Sequence, residues 1–96
     1  MIPYQLRIFE AVAKQKGFNR ASKYLLLSQP AISANIKKLE EELGIELFER
    51  LGRSIQLTDA GRVVEQYVVR LTDVLAEMHQ TIDELKGLEM GQLRCG

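Results

Sequence analysis

Few residues of this chain are equipped for covalent chemistry. It contains one histidine, His79, and one cysteine, Cys95, which stand too far apart to form a local ligand pair. Because the sequence also has no glycine-rich phosphate loop and no spacing typical of a nucleophile and its base, it predicts neither an enzyme nor a metal site. A single cysteine excludes an intramolecular disulfide, so a reducing cytoplasm is expected.

Hydrogen-bonding side chains are concentrated instead near residue 30, at helical spacing. Gln29 can form two hydrogen bonds with adenine, and Ser33 can bond any base edge. Pro30 and Ala34 are apolar and can contact a thymine methyl group. At 100° per residue, positions 30, 33, 34 and 37 point away from the apolar side of a helix, and Gln29 is free at its start. This outward face is suited to entering a major groove by its N-terminal end.

The charges of the chain are segregated along the sequence. Thirteen basic and thirteen acidic residues give a formal net charge of zero, which at face value argues against a nucleic-acid partner. Residues 1–38, however, carry seven bases and one acid, whereas residues 39–49 carry five acids and no base. Residues 50–62 are again basic, with a charge of +2, and residues 63–96 have a charge of −3. A zero total therefore conceals a basic N-terminal region that could face phosphates.

Polar and basic residues around the outward face could contact a DNA backbone, although each taken alone could equally be a solvated surface residue. They are Arg20, Ser22, Lys23, Ser28, Lys37 and Lys38, with Lys14 and Lys16 nearby. A second basic projection comes from Arg50 and Arg53, which flank Gly52 at the tip of a predicted hairpin and precede Ser54. Such a tip suits phosphates or a narrow minor groove.

Capping residues divide residues 1–58 into the elements that would hold these side chains. A first helix begins near Pro3, and Asn19 is predicted to cap a short second helix. Ser28 caps a third helix that ends at Gly44. The inward stripe of that helix is Ile32, Ile36, Leu39 and Leu43. Residues 46–50 and 54–57 are predicted to form the two short strands of the hairpin.

A long fourth helix, capped by Thr58, is predicted over residues 59–88. Its apolar residues recur with a spacing of four and three, which is the seam of a coiled coil. The seam consists of Val64, Val68, Leu71, Leu75, Met78, Ile82 and Leu85. About 28 residues span roughly 42 Å, so the helix must project from the domain and needs a partner, most simply a second copy. Tyr67 and Val74 flank the seam and could pack on the N-terminal domain, while residues 89–96 are expected to form a hinge.

The chain is predicted to be soluble and globular. Its longest apolar run, residues 24–27, is far too short to span a membrane, and no signal segment opens the sequence. A hydrophobic content of 46% with 27% charged residues is ordinary for a folded domain and argues against disorder.

Specific motifs make residues 6–61 similar to the N-terminal winged helix-turn-helix domain of the LysR-type transcriptional regulators. The residues that carry the resemblance are Leu6, Phe9, Gly17-Phe18, Arg20-Ala21, Leu25, S-Q-P-A-I-S at 28–33, Ile36, L-E at 39–40, L-G at 43–44, L-F-E-R at 47–50 and L-T-D-A-G at 57–61. The resemblance implies a mainly α fold of three helices and a small β-hairpin wing, followed by a long coiled-coil linker helix. The segment 91–96 resembles the start of that family's effector-binding domain, which is therefore expected to lie outside the chain.

The resemblance also implies a function. Such proteins bind interrupted inverted repeats in double-stranded DNA near promoters as homodimers, often as tetramers at full length. They are cytoplasmic, nucleoid-associated proteins that regulate transcription by RNA polymerase in response to a small coinducer. By the family's pattern, Gln29, Pro30 and Ser33 would contact bases, and Ala34 and Asn35 would tune the preference. The wing contacts would come from Arg50 and Arg53, as the hairpin tip also suggests.

The sequence departs from the family's pattern at three positions. Ser22 replaces the usual second alanine of the second helix and can hydrogen-bond to backbone or phosphate. Leu26 stands in the turn where a polar residue is usual, which predicts an exposed apolar spot or a dimer contact. Ala34 removes a possible arginine, which favours recognition of DNA shape. The tail 82–94 resembles the subgroup that controls carbon-fixation and inorganic-carbon genes. The alternative function is a protein-interaction module, which predicts no salt-dependent DNA affinity.

Overall fold

The computed structural model describes residues 3–52 and 54–95, with side chains described as far as Leu88. In chain order the elements are α1 (Tyr4–Gln15), α2 (Phe18–Leu25), α3 (Gln29–Leu43), β1 (Phe48–Leu51), β2 (Ser54–Leu57) and α4 (Asp59–Cys95). This confirms the predicted fold class, three helices and a small hairpin followed by a long helix. No helix of the described part of the chain has the length and apolar character that a bilayer span requires.

The first three helices meet around an apolar core. Its buried members are Ile8, Phe9, Ala11, Val12, Ala21, Ile32, Ile36, Leu39, Leu47 and Val68. The inward stripe predicted on α3 is confirmed at its first three positions, which places the opposite face of the helix at the surface. The fourth position was wrong, because Leu43 is 50% exposed. It lies in the last turn of α3, where the domain leaves an open groove beside Leu6.

Two of the three predicted helix caps before the hairpin are confirmed. The Ser28 hydroxyl accepts a hydrogen bond of 3.2 Å from the Ala31 N–H, and Gly44 ends α3 in the left-handed conformation with φ +73°. Asn19 was wrongly predicted to cap α2, whose N-cap is Gly17. The helix begins two residues earlier than a cap at Asn19 implies, and its first residue, Phe18, packs against Phe48 of the hairpin.

The hairpin is antiparallel, and Phe48 pairs with Leu57 at its base. Its first strand begins two residues later than predicted, because the backbone of Leu47 is engaged elsewhere. The Leu47 N–H donates to the Glu40 carboxylate at 2.6 Å, and its carbonyl accepts from the Thr58 N–H at 3.0 Å. These bonds tie the end of α3 to the hairpin and to the start of α4, where the predicted Thr58 cap is confirmed by a 3.0 Å bond from the Gly61 N–H.

Helix α4 is longer than predicted. It runs through Gly87 and Gly91 to Cys95, seven residues beyond the predicted end at residue 88. A glycine inside a helix costs only about 1 kcal/mol relative to alanine, and it ends the helix only where a left-handed residue is stabilised. Most of α4 projects from the domain, which makes the described chain 65 Å long. Whether residues 89–96 open a further domain stays a prediction.

Candidate nucleic-acid interface

The first turn of α3 protrudes from the domain. Gln29, Pro30 and Ala34 are exposed, and Ser33 is half-buried on the same side. They lie there because the Ser28 cap fixes where the helix begins, while Ile32 and Ile36 turn the opposite side into the core. The geometry thus matches the predicted outward face, and contact with bases stays a prediction.

Two of the predicted DNA-contacting side chains form hydrogen bonds with backbone carbonyls of nearby residues. The Asn35 amide donates to the Ala31 carbonyl at 2.8 Å, and the Ser22 hydroxyl donates to the Leu27 carbonyl. Both side chains are half-buried. Of the two partners expected for Ser22, the structure shows the backbone one, which locks the turn between α2 and α3. The short side chains of serine and asparagine favour such local bonds, so neither residue projects toward a partner in this structure.

The hairpin presents Arg50 beside the start of α2. The Arg50 side chain is exposed, and its guanidinium carbon lies 5.9 Å from the centroid of the Phe18 ring. At the tip, Gly52 adopts φ +62°, and the Ser54 hydroxyl donates to the Leu51 carbonyl at 3.0 Å. Arg53, the other predicted wing residue, lies outside the described residues.

A cleft of about 610 Å³ separates the wing from the N-terminus of α3. We call it the wing cleft, and it is lined by Lys16, Gly17, Phe18, Asn19, Arg20, Gln29, Arg50, Gly52, Ser54 and Ile55. It brings together four predicted contact residues from α2, α3 and the hairpin, namely Arg20, Gln29, Arg50 and Ser54. The sequence did not point to Asn19 or Phe18 as part of this surface, since Asn19 was predicted to be a cap and Phe18 was noted only within the family motif. No local signal could have identified them, because the cleft forms only when the hairpin packs beside α2.

The basic side chains around this cleft are unpaired in the described part of the chain. Arg20, Lys23, Lys37 and Lys38 are exposed. Within residues 3–52 and 54–88, the one ion pair joins Arg62 to Asp59 at 2.5 Å, on α4. The positive charges therefore stay available to phosphate groups.

The acidic block lies at the other end of α3 and at the base of the hairpin. Glu40 binds the backbone of Leu47, and Glu49 accepts a 2.6 Å hydrogen bond from the Gln56 amide. The remaining acids of the block, Glu41, Glu42 and Glu46, are exposed. Because these acids follow Lys38 along the helix, the first half of α3 keeps its basic character.

The predicted seam of α4 is divided between two environments. Val68 is only 2% exposed and Val64 is half-buried, because both pack on the chain's own N-terminal domain. Val68 therefore has almost no surface left for a second chain and Val64 only part of its surface, and their place in the dimer seam stays a prediction. Conversely, Tyr67 and Val74 were expected to pack on the domain and are 58% and 60% exposed. The first turns of this face pack on the chain's own domain, and the apolar residues of the later turns are exposed.

Beyond this point α4 carries an exposed apolar face. We define the free face as the large apolar residues Tyr67, Leu71, Val74, Met78, Ile82, Leu85 and Leu88, all of them exposed, with the half-buried Leu75 at its edge. At its domain end the free face adjoins an apolar groove of about 280 Å³ lined by Leu6, Leu39 and Leu43. A second apolar spot, as predicted, is Leu26, which is 90% exposed.

The histidine and the cysteine of the sequence both lie on α4, sixteen positions apart. His79 is exposed on α4, and the side chain of Cys95 lies outside the described set. The described residues contain no group of three or more histidine, cysteine or carboxylate side chains that could hold a metal ion.

Comparison with known proteins gives one consistent set of matches. The family model for bacterial regulatory helix-turn-helix proteins of the lysR family matches residues 3–62. The RuBisCO operon transcriptional regulator of Allochromatium vinosum is 48% identical over 90 residues, which cover 94% of this chain and 30% of the relative. The probable RuBisCO transcriptional regulator of Thalassiosira pseudonana is 45% identical over 92 residues, covering 96% and 30% of the two chains.

A solved structure agrees with these relatives. The BenM DNA-binding domain in complex with benA site 1 DNA superposes with a TM-score of 0.78 and 36% identity, covering 84% of this chain and 94% of that one. The curated relatives are much longer than the present chain, which spans about 30% of their length.

Proposed function

Because this chain belongs to the lysR family of bacterial regulatory helix-turn-helix proteins, we propose that it binds double-stranded DNA sequence-specifically and forms the DNA-binding part of a transcription regulator. The observation that carries the proposal is the exposed first turn of α3 beside the wing cleft. A groove-sized helix end, an unpaired basic rim and a hairpin on one surface are what duplex recognition requires.

Within this surface we assign the roles by chemistry and position. Gln29 and Ser33 bond base edges in the major groove, while Pro30 and Ala34 contact thymine methyl groups. Phosphates are contacted by exposed donors that need not discriminate between bases. These donors are Arg20, Lys23, Ser28, Lys37, Lys38, Arg50 and Ser54. Arg53, which lies outside the described residues, is assigned a wing contact on the sequence alone. Asn35 and Ser22 contribute indirectly, by stiffening α3 and the turn before it.

The active unit is a homodimer joined through the free face of α4. An exposed apolar surface that extends over several helical turns is costly in water and marks an interaction surface. A second copy covers it and presents a second α3 to the DNA, so the preferred site is an inverted repeat with a spacing set by the dimer. Leu71, Leu75, Met78, Ile82 and Leu85 of the predicted seam keep this role, whereas Val68 has almost no surface left for it and Val64 only part of its surface.

For the whole protein we propose regulation of carbon-fixation genes. The support is that the relatives with about half of their matched residues identical are named as RuBisCO regulators. Such a regulator works in the cytoplasm at the nucleoid, forms tetramers, contacts RNA polymerase and responds to a small coinducer bound by a further domain. No cofactor is assigned to the present segment.

Selection from a random duplex library, followed by sequencing, tests the DNA-binding proposal. The expected product is an interrupted inverted repeat, bound more tightly than mixed-sequence DNA and with an affinity that falls steeply as salt rises. The chain with Leu85 replaced by Asp is the matched control, since a monomer should enrich single half-sites only. If the wild-type chain enriches no sequence and binds DNA without salt dependence, the surface is an interface for other proteins instead.

A further inference from the structure

A row of three phenylalanine rings leads from the core to the edge of the wing cleft. Phe9 is fully buried, and its ring centroid lies 5.3 Å from that of Phe48. Phe48 in turn meets Phe18 with a centroid distance of 5.9 Å and an interplanar angle of 66°, the edge-to-face arrangement that aromatic rings favour. We call this set the aromatic row, and Phe18 is its outer member.

The guanidinium of Arg50 rests on that outer ring. Residues 48 and 50 stand two positions apart on β1, so both side chains point to the same face of the hairpin, toward Phe18. The distance of 5.9 Å from the Arg50 Cζ to the ring centroid is within the range of a cation–π contact. The aromatic row therefore connects Arg50 rigidly to the buried core.

An aromatic ring beside Arg50 leaves the guanidinium able to bind a phosphate, whereas a carboxylate partner would not. A carboxylate would neutralise the guanidinium and occupy its N–H donors. A ring face attracts the cation but leaves its net charge and its in-plane donors free. Within residues 3–52 and 54–88 no carboxylate pairs with Arg50, and both Arg50 and Phe18 line the wing cleft with Gln29.

We propose that Phe18 is a positioning residue for DNA binding: it holds the Arg50 guanidinium at the wing cleft, ready to meet a backbone phosphate. This rests on the proposed function. A long side chain that is already ordered loses less freedom on binding, which corresponds to an affinity gain of about twofold to tenfold per half-site. Phe18 touches no DNA in this scheme, and all of its effect passes through Arg50.

A double-mutant cycle with a 30-base-pair mixed-sequence duplex tests the proposal over a series of salt concentrations. Phe18→Leu should weaken binding by about twofold to tenfold per half-site and leave the salt slope unchanged, because the phosphate contact still forms in the complex. Arg50→Ala should reduce the slope by about 0.9 for each phosphate that is no longer neutralised. In the Arg50→Ala background, Phe18→Leu should have no further effect. Phe18→Tyr should keep wild-type affinity when Arg50 is present and the affinity of Arg50→Ala when it is absent.

Two results would overturn the positioning role. One is an equal loss of affinity from Phe18→Leu with and without Arg50, which would mean that Phe18 acts through the fold. The other is wild-type affinity of a folded Phe18→Leu chain. These results differ from failure of the proposed DNA-binding function, because in that case the wild-type chain itself would not bind the duplex.

A measurement on the wild-type chain covers the case in which Phe18→Leu does not fold. A guanidinium held over a ring places the neighbouring Arg50 δ-methylene protons in the shielding region of Phe18. Their proton NMR signals should therefore be shifted upfield in the free, folded protein and return toward random-coil positions at unfolding urea concentrations. Random-coil shifts for Arg50 in the folded wild type would refute the inference without any variant of Phe18.

Discussion

Gly61 is the point where α4 passes closest to the segment that leads into the hairpin. A Cβ atom at this position would lie 2.2 Å from the Leu47 carbonyl oxygen and 2.9 Å from the Leu57 Cδ2 atom. The carbonyl is backbone, and it already accepts the 3.0 Å hydrogen bond from Thr58 that starts α4. Gly61→Ala therefore cannot be accommodated by a side-chain rotation, and we expect it to push α4 away from the hairpin.

Two opposing terms give the magnitude of this effect. Replacing a helical glycine by alanine stabilises a helix by about 1 kcal/mol. Forcing an extra carbon into a packed site costs about 1–3 kcal/mol, and loss of the Thr58–Leu47 bond adds about 1 kcal/mol. The clash with backbone places Gly61→Ala at the upper end of that packing cost, and since the other two contributions cancel, the net loss should be about 3 kcal/mol. For a domain of this size, each kcal/mol lowers Tm by about 4–8 °C.

Thermal unfolding followed by circular dichroism measures this change, and Gly87→Ala is the matched control. Gly87 lies in the same helix, and a Cβ there would meet nothing within 4 Å. We expect Gly87→Ala to raise the stability by up to about 1 kcal/mol. The protein concentration must be held constant, because the Tm of a dimer depends on it. If both substitutions raised Tm by similar amounts, the close approach at Gly61 would not exist.

Three further predictions concern other local features. Leu26→Asn should stabilise the chain by about 1 kcal/mol in urea unfolding, because Leu26 adopts φ +57° with 90% of its surface exposed and asparagine tolerates this conformation better; a loss of stability would show that Leu26 makes an essential contact. Glu40→Ala should cost about 1–3 kcal/mol in the same assay by leaving the Leu47 N–H without its carboxylate partner, whereas Glu41→Ala at an exposed position should be neutral; equal effects would contradict this. Leu85→Asp should yield a folded monomer in sedimentation velocity, since Leu85 is 52% exposed and belongs to the free face; a dimeric variant would assign the dimer contact to another surface.

The elements that sequence alone predicts correctly are those fixed by short-range chemistry. Ser28, Gly44 and Thr58 satisfy or terminate a helix through bonds to residues a few positions away, so their types and spacing suffice. The same holds for the hairpin, whose turn and alternating residues are local. The outward face of α3 follows from the position of its apolar stripe, which made the exposure of Gln29, Pro30 and Ala34 predictable.

Most of the incorrect sequence predictions concern features that depend on contacts between residues far apart in the sequence. Periodicity identified an apolar face on α4 but could not show that Val68 packs on the chain's own domain. Asn19 has the chemistry of a cap, yet the contact of Phe18 with Phe48 sets the start of α2. Glycines were expected to end α4, although the helix continues through Gly87 and Gly91. The wing cleft, which needs three elements at once, carries no signal in any single stretch of sequence.

The central claim, that the first turn of α3 recognises bases, is tested most directly by Gln29→Ala. Affinity is measured for two duplexes, the one recovered by selection and a mixed-sequence one of equal length, at a single salt concentration. Gln80→Ala, which removes an exposed glutamine of α4, is the control. We predict that Gln29→Ala weakens binding to the selected duplex by about 1–3 kcal/mol for each half-site and leaves the mixed-sequence affinity nearly unchanged. Gln80→Ala should change neither affinity. An equal loss of affinity on both duplexes, or none on the selected one, would contradict the claim.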